Sequence, residues 1–267
     1  MRTAIIFSVT IFDESRAWMM DKWIERLEKD FSDCEVYFGI NPKTHQSVID
    51  KILKSNLKSI VAFVKDENYC ESDASGTQVA LQALKAHGAR YDYYWFIHTK
   101  GGVNQRQERF EYYLNEFLGK REETETFLQR NPFIGSYGHY GVGQSADGVT
   151  QWKTLSHTEF DHGNIPIVQN VNFEKLTCTH VNWSYVETFY IIKGELINWM
   201  VDTADDSYFD KRIRNRWYGE VVLPWLASRS GLYPYVKYGT SQFAPVDLNL
   251  TTREWEKENN LQFTIVP

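Results

Sequence analysis

Cysteine, positive charge and long apolar runs are all scarce in this chain, and each scarcity removes a class of protein. The three cysteines, Cys34, Cys70 and Cys178, are an odd number at wide spacing. They read as reduced thiols, not as a disulfide framework. Lys and Arg total 29 against 35 Asp and Glu, a net charge of −6. A duplex binder needs a basic face, so nucleic acid is not expected as a partner. No apolar stretch is long enough to cross a bilayer, and any membrane contact would be peripheral. No signal-peptide pattern is read at the start, where Met1-Arg2-Thr3 leads straight into a short apolar run. A cytoplasmic location is the expectation. Repeats and Pro/Ser-rich linkers are also missing, so the 267 residues read as a single domain.

Aromatic residues are abundant at 15%, with 9 Trp and 16 Tyr. Most such rings fill a core in any fold. Rings also line sugar-binding clefts, because the apolar face of a pyranose packs on them.

Apolar, β-branched runs at Thr3 to Val9, Glu35 to Ile40, Ser59 to Val64 and Tyr93 to His98 predict four strands. Between them, helical spacing recurs: Trp18, Met19, Trp23, Ile24 and Leu27 after an Asp13-Glu14-Ser15 cap, then His45 to Lys54, then Asp73 to about Ala86. Four alternations of strand and helix imply parallel strands joined by crossovers, an α/β class with a Rossmann-like half-sheet. Ligands of such sheets gather at the carboxyl ends of the strands. The candidate surface is therefore Thr10 to Asp13, Asn41 to Lys43 and His98 to Gly102. The second half is less regular. Gln105 to Phe117 and Glu122 to Gln129 read as helical, and Asn131 to Gly148 as a Gly- and Tyr-rich loop. Trp183 to Lys193 reads as strand, and Glu195 to Asp202 and Tyr218 to Ser228 as helices.

Three constellations carry chemistry. Asp73-Ala74-Ser75-Gly76 is a small-residue turn feeding a helix, where backbone N–H groups and the dipole can face a phosphate or a sugar hydroxyl. On its own it reads better as a capped surface helix. The strand YYWFIH, by contrast, ends abruptly in His98-Thr99-Lys100-Gly101-Gly102. Polar groups at the exit of a buried strand, with two glycines permitting close backbone approach, favour a functional reading. A cation there suits a pyrophosphate leaving group. The third is Phe209 to Glu220, in which Glu220 follows an aromatic, Gly-containing turn. Taken by itself, Glu220 reads as a helix cap or as the partner of Arg214 or Arg216.

An Asp-x-x-Gly turn before a helix, followed one helix later by an apolar strand with a polar exit, resembles the GT-A glycosyltransferases. An exit of His98-Thr99-Lys100 where that family has Asp-x-Asp is similar to the rhamnan-synthesis type, which builds surface polysaccharides. Looser similarity resumes at His180-Val181-Asn182-Trp183 and at Arg216-Trp217-Tyr218-Gly219-Glu220. The resemblance implies a GT-A-like, mostly parallel central sheet flanked by helices. It also implies a nucleotide-sugar donor and a glycan acceptor. Residues 1–104 would form the nucleotide-sugar-binding half and residues 105–267 the acceptor-binding half. Donor contacts are expected from Thr10, Asp13, Asn41, Asp73, Ser75, Gly76, His98, Thr99, Lys100, Gly101 and Arg106. Acceptor contacts are expected from Tyr137, His139, Trp183 and Trp217. Glu220 is the expected catalytic base of an inverting displacement, with Asp210 in reserve.

No Asp-x-Asp occurs anywhere in the chain, which leaves two readings of the diphosphate. Lys100, with His98 and Arg106, neutralises it directly, or a divalent Mn or Mg ion is held by other segments. The segment His157 to His162 and the pair Cys178 and His180 lack zinc spacing, and no structural metal is expected. A nucleotidyltransferase on the same fold is disfavoured, because Thr10 to Glu14 has no glycine or lysine. A non-catalytic glycan-binding protein on a transferase-like fold stays open.

Overall fold

The computed structural model describes residues 1–66, 74–99, 107–139, 141–145, 181–185, 188–203 and 233–237. The expected alternation is present: β1 (Thr3–Val9), α1 (Trp18–Asp30), β2 (Glu35–Ile40), α2 (Gln46–Lys54), β3 (Lys58–Phe63), α3 (Ala74–His87) and β4 (Tyr93–His98). The four strands lie parallel in the order β3-β2-β1-β4. After α4 (Gln107–Tyr112) come a π-helical turn (Tyr113–Phe117), a 3-10 turn (Leu118–Lys120) and α5 (Arg121–Arg130). Then follow β5 (Ile134–Gly138), β6 (Gly141–Ser145), β7 (Val181–Tyr185), β8 (Tyr190–Lys193), α6 (Gly194–Thr203) and β9 (Tyr233–Val236).

β8 joins β4 antiparallel, β5 pairs antiparallel with β8, and β9 runs parallel to β5 at the edge. The seven-stranded order is β3-β2-β1-β4-β8-β5-β9, and β6 with β7 forms a separate two-stranded ribbon. This mostly parallel, helix-flanked sheet is the α/β class expected from the sequence.

Side chains alternate between the two faces of each strand. One face carries Ile5, Phe7, Val36, Phe38, Trp95 and Ile191 into a continuous core with Trp23 and Leu27 of α1 and Val48 and Ile52 of α2. The Trp23 ring meets Phe7 at 5.6 Å and Phe110 at 5.3 Å, both edge to face. Each such fully buried large side chain contributes roughly 1.5–3 kcal/mol. α3 packs on the other side of β1 and β2, so closely that a Cβ on Gly39 would lie 1.8 Å from the Gly76 carbonyl oxygen. No helix among the described residues is long and apolar enough to cross a membrane.

Two expectations need correction. The loop read over Asn131 to Gly148 contains β5 and β6. Glycine lowers strand propensity, but β5 is buried and flanked by β8 and β9, so its context overrides that preference. The strand read over Trp183 to Lys193 is two, β7 and β8, with Thr188 between them at φ 52°. The segment read as helical over Gln105 to Phe117 is helical from Gln107 on, α to Tyr112 and π over Tyr113–Phe117.

Candidate active site

The carboxyl ends of β1, β2 and β4 are tied together by one chain of polar contacts. The Thr10 backbone N–H donates to Thr99 Oγ1 at 2.7 Å. Asn41 Nδ2 donates to Thr10 Oγ1. Ser75 Oγ, in the first turn of α3, donates to Asn41 Oδ1 at 3.1 Å. Asn41 is wholly buried, and Ser75 and Thr99 nearly so. Its backbone is equally engaged: Asn41 N–H donates to Val9 O at 3.0 Å, and its carbonyl accepts from Thr44 N–H at 2.9 Å. Four residues remote in sequence thus share one largely buried network, with Thr10 half-buried, and each was among the expected donor contacts.

Sequence accounts for this local structure. β1 ends on apolar Val9 and β4 on His98, the residues that follow, Thr10 and Thr99, present hydroxyls, and the strand register fixes Ser8 opposite His98. Thr99 N–H donates to Ser8 O at 3.0 Å, which carries the β1–β4 ladder past the strand end. Asp13 stands exposed beyond β1 and caps the following turn, accepting from Ser15 N–H at 2.9 Å. The hydrogen bonds from the Ser15 backbone and side chain hold its carboxyl below the ordinary range.

Gly76 has a packing role that the sequence reading did not give it. A Cβ there would fall 2.1 Å from Ser8 Oγ and 2.8 Å from Gly39 O, so glycine lets the first turn of α3 settle on the sheet. Ser8 itself was missed. Its hydroxyl is buried with no hydrogen-bond partner among the described residues. A lone polar residue inside the run TAIIFSV was the available signal.

His98 is half-buried, and its ring sits 5.1 Å from that of Phe189. Phe189 stacks in turn on Tyr113 at 3.7 Å and 8°. The residue before it, Thr188, is buried at positive φ, a costly conformation for a β-branched side chain. Thr188 and Phe189 were not singled out in the sequence, where nothing marks them.

Tyr137 and His139 were expected on an exposed loop, but Tyr137 belongs to β5 and both are buried. His139 Nδ1 lies 2.8 Å from Tyr112 Oη. Burial, with a smaller contribution from the Lys237 charge, pushes the imidazole down to about 3, so it is neutral. Trp183 lies on β7. Asp73, Lys100, Gly101, Arg106, Asp210, Trp217 and Glu220 lie outside the described residues.

The described part of this edge offers hydroxyls, an amide, an imidazole and the single carboxylate of Asp13. That set can bind hydroxyl and amide groups of a ligand. Mg²⁺ is commonly held by one or two carboxylates together with waters and substrate phosphates, and Asp13 is the carboxylate that the described part of this edge would contribute. Among the described residues no group of three or more His, Cys, Asp or Glu side chains could hold a metal ion.

No family model and no curated protein matches the chain. Among solved structures, it aligns with core-mannan synthase A from Aspergillus fumigatus in its Mn/GDP form. Identity is 11% over 98% of this chain and 86% of that one, with a TM-score of 0.35. A likeness at that level says nothing of what this chain binds or does.

Proposed function

We propose that this chain is a glycosyltransferase that takes a sugar from a nucleoside-diphosphate donor and adds it to a glycan acceptor. The observation that carries the reading is the largely buried network from Thr99 through Thr10 and Asn41 to Ser75, at the carboxyl edge of four parallel strands. Open α/β sheets bind their ligands at this edge, and here it is built of neutral groups suited to a nucleoside. Asp13 adds one exposed carboxylate to accept a ribose or base hydrogen.

The network carries no positive charge, so it does not neutralise a diphosphate. That task falls to the segment following Thr99, where Lys100 and Arg106 stand near His98 in sequence. Their cations would stabilise the charge that develops as the diphosphate departs. Glu220 would take the proton from the acceptor hydroxyl as it attacks the anomeric carbon, giving inversion in one displacement. Asp210 is the reserve base, and Trp183 and Trp217 would contact the acceptor. The reading includes a cytoplasmic enzyme of surface-polysaccharide synthesis, with residues 1–104 binding the donor and 105–267 the acceptor.

Two variants test the chemistry. Glu220→Gln should abolish turnover with donor binding intact. Retained turnover would remove Glu220 as the base. Lys100→Ala should weaken donor binding and turnover together, and a variant indistinguishable from the parent would take Lys100 out of the site.

A further inference from the structure

A concavity lies at the far edge of the sheet from the polar network, between α5, β5 and the edge strand β9. Its volume is about 580 Å³, within the range of ligand pockets. Three aromatic rings form its base. Tyr137 and Tyr235, directly paired across β5 and β9, lie parallel at 5.6 Å and 16°. Phe127 of α5 meets Tyr235 at 4.7 Å. Tyr137 is buried, whereas Phe127 and Tyr235 are half-buried. The rim is charged with both signs. Lys237 Nζ lies 3.0 Å from Glu123 Oε1, and Arg130 and Glu122 complete it.

This combination selects a chemistry. Ring faces carry partial negative charge and attract the C–H bonds on one face of a sugar ring. Carboxylates accept from sugar hydroxyls, and ammonium and guanidinium groups donate to their oxygens. A rim of paired opposite charges has little net field, so it does not favour a multiply charged anion such as a diphosphate. Its demand is for a neutral polyhydroxylated ring. The pocket is also separate from the network. Tyr137 is in register with Ile191, and Ile191 with Trp95, so the rings are level with the middle of β4 and not with its His98 end.

We infer that this edge pocket is a carbohydrate-binding subsite for neutral hexose or deoxyhexose units of an oligosaccharide. That the oligosaccharide is the acceptor glycan rests on the transferase reading above. Such a subsite would hold a remote unit of the glycan on the face of the sheet, away from the reacting end.

Isothermal titration of the intact chain with maltohexaose, mannohexaose and a rhamnose oligosaccharide, without nucleotide, tests it. At least one should bind, and Phe127→Ala and Tyr235→Ala should each weaken it by about tenfold or more. Thr126 is exposed on α5 and lines the pocket, so Thr126→Trp should block binding without disturbing the core. No binding by any probe to folded protein overturns the inference, as does a probe that binds the parent and Thr126→Trp equally. Nucleotide sugars titrated into the same samples separate the two proposals. Oligosaccharide binding without nucleotide binding sinks the transferase and leaves the subsite, and the reverse sinks the subsite alone.

Discussion

At its amino end the parallel sheet closes on a carboxylate and two phenols; at its carboxyl end it closes on hydroxyls and an amide. Glu35 Oε2 accepts from Tyr37 Oη at 3.0 Å and from Tyr91 Oη. His87 Nδ1 lies 2.7 Å from Tyr37 Oη, and the Arg2 guanidinium covers the Tyr91 ring at 5.1 Å. There the charges are consumed within the fold. The carboxyl end instead keeps neutral groups beside the two segments, at Asp73 and at Lys100, that were read as contacting a ligand. Similar strands therefore end in a lock on one side and in a candidate binding edge on the other, which is where open α/β sheets bind.

The sharpest break comes from the packing under the carboxyl edge. Gly39→Ala forces a Cβ to 1.8 Å from a backbone oxygen that cannot move alone. It should cost about 3 kcal/mol or more, read as a lower urea midpoint, and should take donor binding with it. Next, Asn41→Ala removes the hydrogen bonds that the Asn41 side chain makes with Thr10 and Ser75. A loss of about 2 kcal/mol is expected, together with loss of donor binding. Tyr37→Phe at the other end should cost about 1 kcal/mol and leave donor binding intact. Equal loss of binding in both variants would erase the contrast between the two ends.

The ends should also differ in acid. Burial alone would raise the Glu35 carboxyl, but the hydrogen bonds from Tyr91 and Tyr37 outweigh it and the net shift is downward. A carboxylate lowered in the folded state stabilises above its unfolded pKa, about 4.3. That contribution disappears as pH falls through the folded value. The Tm difference between parent and Glu35→Gln should therefore shrink from pH 7 to pH 3. The difference between parent and Asn41→Ala should stay flat, since hydroxyls and amides do not titrate there. The smallest effect is at Gly88, which ends α3 at φ 76° with its N–H donating to Leu84 O at 3.1 Å. Gly88→Ala should cost about 1 kcal/mol by urea unfolding, without touching donor binding.

The first half of the fold was legible because β1, β2 and β4 are buried on both faces and all four strands read as largely apolar runs. β1, β2 and β4 match the expected bounds, and β3 begins and ends one residue early. Thr10, Asn41 and Thr99 follow directly on such runs and Ser75 opens α3, and the structure brings these four expected donor contacts into one hydrogen-bonded network. The second half was less so. In β5 the residues Gly135 and Gly138 mask a strand stabilised by its neighbours. The turn at Thr188 uses a left-handed conformation without glycine or asparagine to announce it. The edge pocket joins Phe127 to Tyr235 across more than a hundred residues, a pairing that only the sheet order creates.

The central claim is that the carboxyl edge holds a nucleotide sugar. A thermal-shift screen against UDP-, GDP-, CMP- and dTDP-sugars, each with Mn²⁺, Mg²⁺ or EDTA, tests it most directly, since a ligand of the folded state raises its apparent stability. The account predicts a shift with one nucleotide class that Asn41→Ala loses and Tyr37→Phe keeps. Persistence in EDTA would assign the diphosphate to Lys100. No shift with any donor, in protein shown to be folded, would contradict the account and leave a glycan-binding protein on a transferase-like fold.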